Sequence, residues 1–219
     1  MQEHRMGTIY REAMLAHLHL LGATQGRVLD IGCYDGTLLS ILSADFLVGI
    51  DLKPNRKYPR INLVQADARR LPFRPGVFDV VYALDVIEHI EEDADFAKSL
   101  VSAVAMDGKV ILTTPSEKIR LYPPFLTSWI SKKWGHIYRL GYSANRLVEL
   151  FEDELEVKIQ AWNAPAYRFF YLPLRLLQQM FPGFVEQMVR MIASWDAKRQ
   201  EGQRGFQVLD GMRKDLSPR

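Results

Sequence analysis

Three carboxylates and two glycines stand where they can do chemistry. The run Val28-Leu29-Asp30-Ile31-Gly32-Cys33-Tyr34-Asp35-Gly36 passes from a short apolar stretch into a helical one. Gly32 and Gly36 permit positive φ and close approach of the backbone to a ligand. The helix start behind them offers N–H groups that lack intrahelical partners. In a dinucleotide site such groups hold a pyrophosphate. An anion would gain nothing from Asp30 at the strand end, whereas a ligand carrying an ammonium group would. Asp51 follows 21 positions later, a spacing at which an acid hydrogen-bonds ribose hydroxyls. Asp67 comes after a third apolar run, in Gln65-Ala66-Asp67-Ala68. Acids at successive strand ends gather on one edge of a parallel sheet, the edge where ligands bind in such folds. One can take an amino group, one a ribose, one an adenine amino group. Taken singly, each piece has a plainer use as a tight turn or a helix cap.

Two further clusters carry proton or ligand chemistry. In Leu84-Asp85-Val86-Ile87-Glu88-His89-Ile90, helical spacing puts Asp85, Glu88 and His89 within one turn. His89 can act as a general base, because an imidazole titrates near neutrality. The same three side chains can instead ligate a divalent metal. The third reading is that the acids serve the helix start and His89 packs beside them. In Trp134-Gly135-His136-Ile137-Tyr138-Arg139-Leu140-Gly141-Tyr142-Ser143, the side chains of His136, Tyr138 and Arg139 can orient a polar or anionic acceptor, or anchor a loop to the domain.

These residues need a frame. Short apolar runs at Arg27–Ile31, Phe46–Ile50, Ile61–Gln65, Phe78–Ala83 and Lys109–Thr113 alternate with helical patterns at Thr37–Leu42 and Asp93–Val104. Apolar strands alternating with amphipathic helices predict a parallel sheet covered on both faces. A helix over 5–21, within an N-terminal helical segment 1–25, precedes it. Ser143 is the expected N-cap of a helix over 144–152. A sixth strand is expected at Leu155–Gln160 and a seventh at Gly205–Leu209, placed at an edge. Between them, 164–204 is rich in aromatic residues, Met and Arg, with helices expected at 172–181 and 184–199. This insert must cover something apolar: the domain itself, as a lid over the acceptor; a second copy; or a membrane surface, through 166–196.

The whole chain, 219 residues with 48% hydrophobic and 25% charged, reads as one soluble α/β domain. A net charge of only +2 argues against a nucleic-acid binder. The lone cysteine, Cys33, forms no internal disulfide, which suits a reducing cytoplasm. The polar, charged start lacks the apolar core of a signal peptide.

On these motifs, residues 27–115 resemble the class I S-adenosylmethionine-dependent methyltransferases, a Rossmann-like family with a seven-stranded, mostly parallel sheet. The first motif of that family, acid-x-Gly-x-Gly-x-Gly, is matched by Asp30, Gly32 and Gly36, with Tyr34 in place of the middle glycine. The ribose acid matches Asp51, the adenine-side acid Asp67, and the fourth-strand motif Phe78–Ala83. The resemblance implies S-adenosylmethionine as cofactor, held by Asp30, Gly32, Cys33, Gly36, Asp51, Leu52, Asp67, Ala68, Ala83 and Leu84. Asp85-Val86-Ile87-Glu88-His89 resembles the Glu-x-x-Glu-His segment of the metal-dependent ubiquinone-pathway O-methyltransferases, with Asp85 in place of the first Glu. The implied reaction is methylation of an oxygen or nitrogen on a small-molecule acceptor; a lipid-like acceptor follows only from reading the insert as a membrane-docking element. Two rivals remain: a binding scaffold without turnover, and a nicotinamide-dependent oxidoreductase. The second predicts Gly-x-Gly-x-x-Gly, which Tyr34 breaks.

Overall fold

Strands form where the chain runs apolar or alternates apolar with polar over four to twelve residues, and their ends set the site. The computed structural model describes residues 6–22, 26–133, 135–136, 138–202 and 204–215. The expected helix and N-terminal segment therefore fall partly outside the described residues, as do Trp134 and Ile137. Helix α1 is Met6–His17, followed by β1 Arg27–Ile31, α2 Thr37–Ile41, β2 Phe46–Asp51, β3 Asn62–Gln65 and β4 Phe78–Leu84. Then come α3 Asp93–Ala103, β5 Val104–Pro115, α4 Thr127–Lys133, α5 Ala144–Phe151 and β6 Leu155–Trp162. The chain closes with α6 Pro165–Leu177, α7 Pro182–Ala197 and β7 Phe206–Arg213.

The seven strands form one sheet in the order β3-β2-β1-β4-β5-β7-β6. All pairs from β3 to β5 are parallel, and β7 pairs antiparallel with both β5 and β6. The order reverses between β1 and β4, so the crevice at their carboxyl ends is where such a sheet binds ligands. The seventh strand is not at an edge as its short, late position suggested. It slots between β5 and β6, and β6 becomes the edge. Its buried run Phe206–Leu209 needs partners on both sides.

Alternation along the strands sorts the core into two layers. Val28, Val80, Tyr82 and Ile111 pack with apolar residues of α1, α2, α6 and α7. Leu29, Ile31, Val81, Ala83, Val110 and Leu112 pack with Phe96 and Leu100 of α3 and with Leu147 and Phe151 of α5. Ser143 caps α5, its hydroxyl accepting from Arg146 N at 3.2 Å.

The first helix of the insert starts seven residues earlier than its pattern suggested, at Pro165, and runs through Pro173. Proline is favoured at the first turn of a helix, where its missing N–H costs nothing. The next two N–H groups, of Ala166 and Tyr167, donate to the Asp196 carboxylate at 2.9 and 3.1 Å. Asp196 lies on α7, is fully buried, and also accepts from the Tyr10 hydroxyl at 2.7 Å. One carboxylate thus ties α1, the start of α6 and α7 together, and the inner face of the insert forms a wall of the domain.

Candidate active site

The loop after β1 carries three left-handed residues: Gly32 at φ 76°, Tyr34 at φ 48° and Gly36 at φ 77°. A Cβ at position 32 would sit 2.5 Å from Val86 Cγ2, so only glycine fits there. Tyr34, in place of the family's middle glycine, keeps the glycine-like backbone. Its amide donates to Asp51 Oδ2 at 3.0 Å. Gly32 N and Cys33 N both donate to the Ile50 carbonyl, at 2.8 and 3.0 Å, which fixes the loop against β2.

Asp30 stands beside Gly49 and Tyr82 in the sheet and is 4% exposed. Among the described residues no side chain or amide hydrogen-bonds its carboxylate. Burial, reinforced by the charges of Asp51 and Asp35, holds the Asp30 carboxyl well above the usual range. A buried carboxylate with no partner is costly unless a cation joins it. Asp51 accepts from Lys53 N at 2.8 Å and from Tyr34 N, one bond on each oxygen, leaving lone pairs for hydroxyl donors. Leu52 beside it is 64% exposed, a free apolar platform at the crevice. Ala83 is buried and Leu84 half-buried at the end of β4, and Ala68 is half-buried after β3. Asp67 lies at the same edge, but Arg69 Nη2 engages it at 2.6 Å and those hydrogen bonds hold its carboxyl below the usual range. Cys33 is buried, and burial together with Asp30 pushes its thiol well up, so it is a packing group.

After β4 the chain does not form the single helical turn its spacing predicts. Asp85 takes a left-handed φ of 55°, and only Ile87–His89 forms a 3-10 turn. The Asp85 carboxylate pairs with Arg11 of α1, at 2.6 Å, and also accepts from the Thr113 hydroxyl at 3.2 Å. Arg11 is buried with its guanidinium 3.4 Å from the centre of the Phe206 ring. Asp85 therefore leaves the expected metal trio, and His136 takes its place. Donor atoms of Glu88, His89 and His136 all lie within 4.8 Å of one another.

Glu88 is fully buried. Thr114 Oγ1 donates to its Oε2 at 3.0 Å, while Oε1 has no hydrogen-bond partner and lies 3.9 Å from His136 Nε2. Burial, and then the charge of Asp85, push the Glu88 carboxyl well up. The His89 and His136 rings meet edge to face at 4.7 Å. Burial and the neighbouring His89 push His136 down to about 4, so it is neutral at physiological pH. Arg139 donates Nη1 to Asp93 and to the Tyr142 hydroxyl, and Nη2 to the Glu91 carbonyl at 2.9 Å. It anchors its loop, whereas Tyr138 stays exposed. His136, Tyr138 and Arg139 line a cleft of about 500 Å³ with Arg120, Thr127 and Lys132.

Arg11, Thr113, Thr114, Arg120 and Lys132 were not foreseen. Only Arg11 left a trace, a charged residue amid the apolar positions Tyr10, Met14 and Leu15 of α1.

A glycine loop and two acids thus lie at the switch point of the sheet, with Glu88, His89 and His136 gathered after β4. Residues 2–181 match the methyltransferase domain family, and the chain belongs to it and to the class I S-adenosylmethionine-dependent methyltransferases. Its cosubstrate is S-adenosylmethionine. The chain is 26% identical over 176 residues to the ubiquinone biosynthesis O-methyltransferase of Rickettsia typhi, covering 71% of each chain. It is 31% identical over 103 residues to the chloroplastic tocopherol O-methyltransferase of Arabidopsis thaliana, 40% of this chain and 30% of that protein. Among solved structures, Haemonchus contortus phosphoethanolamine N-methyltransferase 2 in complex with S-adenosyl-L-methionine superposes with a TM-score of 0.64 at 19% identity. That match covers 93% of this chain and 53% of the other, and establishes the fold.

Proposed function

We propose that the chain moves the methyl group of S-adenosylmethionine to an oxygen or nitrogen of a small acceptor, with His89 taking the proton the acceptor loses. The Glu88–His89–His136 cluster beside the Asp30–Asp51 crevice carries this reading. In the crevice, Asp30 accepts the ammonium of the methionine moiety, Asp51 the ribose hydroxyls, and Leu52 packs the adenine. Asp67 reaches the adenine amino group through the lone pairs that Arg69 leaves. The methyl–sulfur bond breaks as the methyl–acceptor bond forms in line, S-adenosylhomocysteine departs, and the acceptor proton goes to a His89 ring nitrogen. The sulfonium is already electrophilic, so most of the catalysis is placement. Neutral His136 and buried Glu88 hold the His89 side of the pocket.

A second reading of the same cluster is supported by the unpartnered, fully buried Glu88 Oε1. A glutamate and two imidazoles within 4.8 Å suit a divalent transition metal. Glu88, His89 and His136 would hold it, and when bound it would polarise the acceptor hydroxyl. Calorimetry with zinc and manganese, with and without His136→Ala, separates this from the base reading.

The lipid-like character of the acceptor rests on the outer face of the insert. Leu176, Met180, Phe181 and Phe184 are 77, 71, 53 and 55% exposed around the α6–α7 turn. Across 169–185 the only charge is Arg175. No helix among the described residues is long and apolar enough to cross a membrane, so the contact would be peripheral. Transfer of radiolabelled methyl from S-adenosylmethionine to a panel of phenols, catechols and amines tests the reaction. Cofactor binding with no transfer to any of them would return the chain to a binding scaffold.

A further inference from the structure

The cleft beside His136 has a charge pattern that the methyl-transfer step does not use. Arg120, Lys132 and Arg139 line it with the hydroxyl residues Thr127 and Ser128, and no acid is among the lining residues. Arg139 is committed to Asp93, but Arg120 and Lys132 are not so committed. Among the described residues neither has a carboxylate within ion-pair distance. The adjacent Lys133 differs, since its ammonium sits 3.9 Å over the Trp129 ring.

Arg120 is held in place for a ligand. Its Nη1 donates to the Glu117 and Ile119 carbonyls at 3.2 and 2.7 Å, which fixes the guanidinium and leaves Nη2 and Nε to donate elsewhere. Outside the cleft lining, the buried Arg168 donates Nε to the Arg120 carbonyl at 2.6 Å, which fixes the Arg120 backbone. Thr127 Oγ accepts from Leu121 N at 2.9 Å, so its hydroxyl proton can point outward. Such a fork, an ammonium and hydroxyls converging without an acid form a receptor for a tetrahedral dianion. Phe125, 79% exposed, and Tyr138 add an apolar rim.

We infer that this cleft is the anion subsite of the acceptor and takes a phosphoryl group, with Arg120, Lys132, Thr127 and Ser128 as its ligands. The inference deepens the proposed function and rests on its placing the acceptor against His89. His136 joins the two, lining the cleft while its ring meets His89. A phosphoryl group seated there places the rest of the acceptor toward the methyl donor. That group belongs either to a soluble phosphomonoester or to a lipid headgroup, and the Phe125–Tyr138 rim accommodates both.

The test uses the full chain saturated with S-adenosylhomocysteine. Binding of inorganic phosphate, and of monomeric dihexanoyl phosphatidic acid, is followed by phosphorus NMR line broadening. The double variant Arg120→Gln/Lys132→Gln is compared with Lys158→Gln, an exposed lysine on β6 away from the cleft. Removing two charge-assisted ligands is expected to weaken binding by tenfold or more, while Lys158→Gln changes it less than about twofold. Binding of both probes, lost in the double variant, supports a subsite for a free phosphoryl group. Binding of the phosphatidic acid alone, lost in the same variant, supports a lipid headgroup. No binding of either probe, or equal binding in the double variant, overturns the inference. S-adenosylhomocysteine affinity is measured in the same samples. Its loss in the parent chain would overturn the methyl-transfer reading instead, and its retention in every variant shows that the variants fold.

Discussion

Replacing Asp30 with Asn should make the cofactor-free chain more stable and the cofactor-bound chain harder to form. The side chain is 4% exposed and has no hydrogen-bond partner among the described residues. Its carboxyl is raised well above its unfolded value by burial and by Asp51 and Asp35. A raised carboxyl contributes most to stability at low pH, and that contribution is lost as pH climbs from the unfolded value through the folded one. At pH 7 the ionised group is therefore a liability, and a neutral amide of the same shape removes it. The amide stays buried without a partner, so what is relieved is the charge cost alone, about 1–2 kcal/mol. For a chain of this size that raises the melting temperature by about 2–8 °C. The advantage should fade as the buffer is taken below pH 4, where Asp30 is neutral in both states. Binding moves the other way. A charge-assisted hydrogen bond to the ligand ammonium is worth about 2–3 kcal/mol, so S-adenosylmethionine should bind roughly 30- to 150-fold more weakly. Differential scanning fluorimetry and titration calorimetry on the same preparations measure both. A variant that melts lower than the parent, or binds the cofactor within threefold of it, refutes the assignment of Asp30 as the ammonium ligand.

Further outcomes follow from the other clusters. His89→Ala should keep cofactor affinity within about threefold and lower turnover by about 10²–10⁴-fold; unchanged turnover in a methyl-transfer assay would reduce His89 to a packing residue. Asp93 is 10% exposed in its side chain and ion-paired with Arg139 and, at 3.1 Å, with Arg146. Burial alone would raise its carboxyl, but the hydrogen bonds from Arg146 and Arg139 outweigh that and hold it below the usual range. A depressed carboxyl stabilises above its unfolded pKa and loses that contribution as pH falls through the folded one. Asp93→Asn should therefore cost about 1–3 kcal/mol at pH 7 in urea unfolding, with the deficit closing below about pH 4. The triple change Met180→Ser, Phe181→Ser, Phe184→Ser should reduce co-sedimentation with anionic phospholipid vesicles at least tenfold at unchanged melting temperature, since these residues are exposed. Equal sedimentation of parent and variant would remove the insert as a membrane contact.

Much of the strand-end crevice after β1 and β2 was legible because it depends on local patterns. An apolar strand, a glycine turn and an acid at the strand end are neighbours in the chain, so Asp30, Gly32, Gly36 and Asp51 could be placed by spacing alone. Tyr34 is instructive: its residue type argued against the glycine-like loop, yet the backbone takes φ 48° there, held by the bond from its amide to Asp51. The cluster after β4 was far less legible. Helical spacing grouped Asp85 with Glu88 and His89, but the left-handed turn at Asp85 sends its carboxylate to an arginine 74 positions earlier.

The amino-acid sequence by itself determined the alternating βα order, the edge of the sheet at which the acids gather, and the Ser143 cap, because each follows from periodicity or from contacts a few residues apart. Only the tertiary structure decided the rest. It inserted β7 between β5 and β6, brought His136 to Glu88 and His89, paired Arg11 with Asp85, and had Asp196 of α7 cap α6. Each of these joins groups dozens of residues apart in the chain. Their pairing is set by which buried charges and backbone amides must find partners once the two core layers close. No local pattern records that requirement.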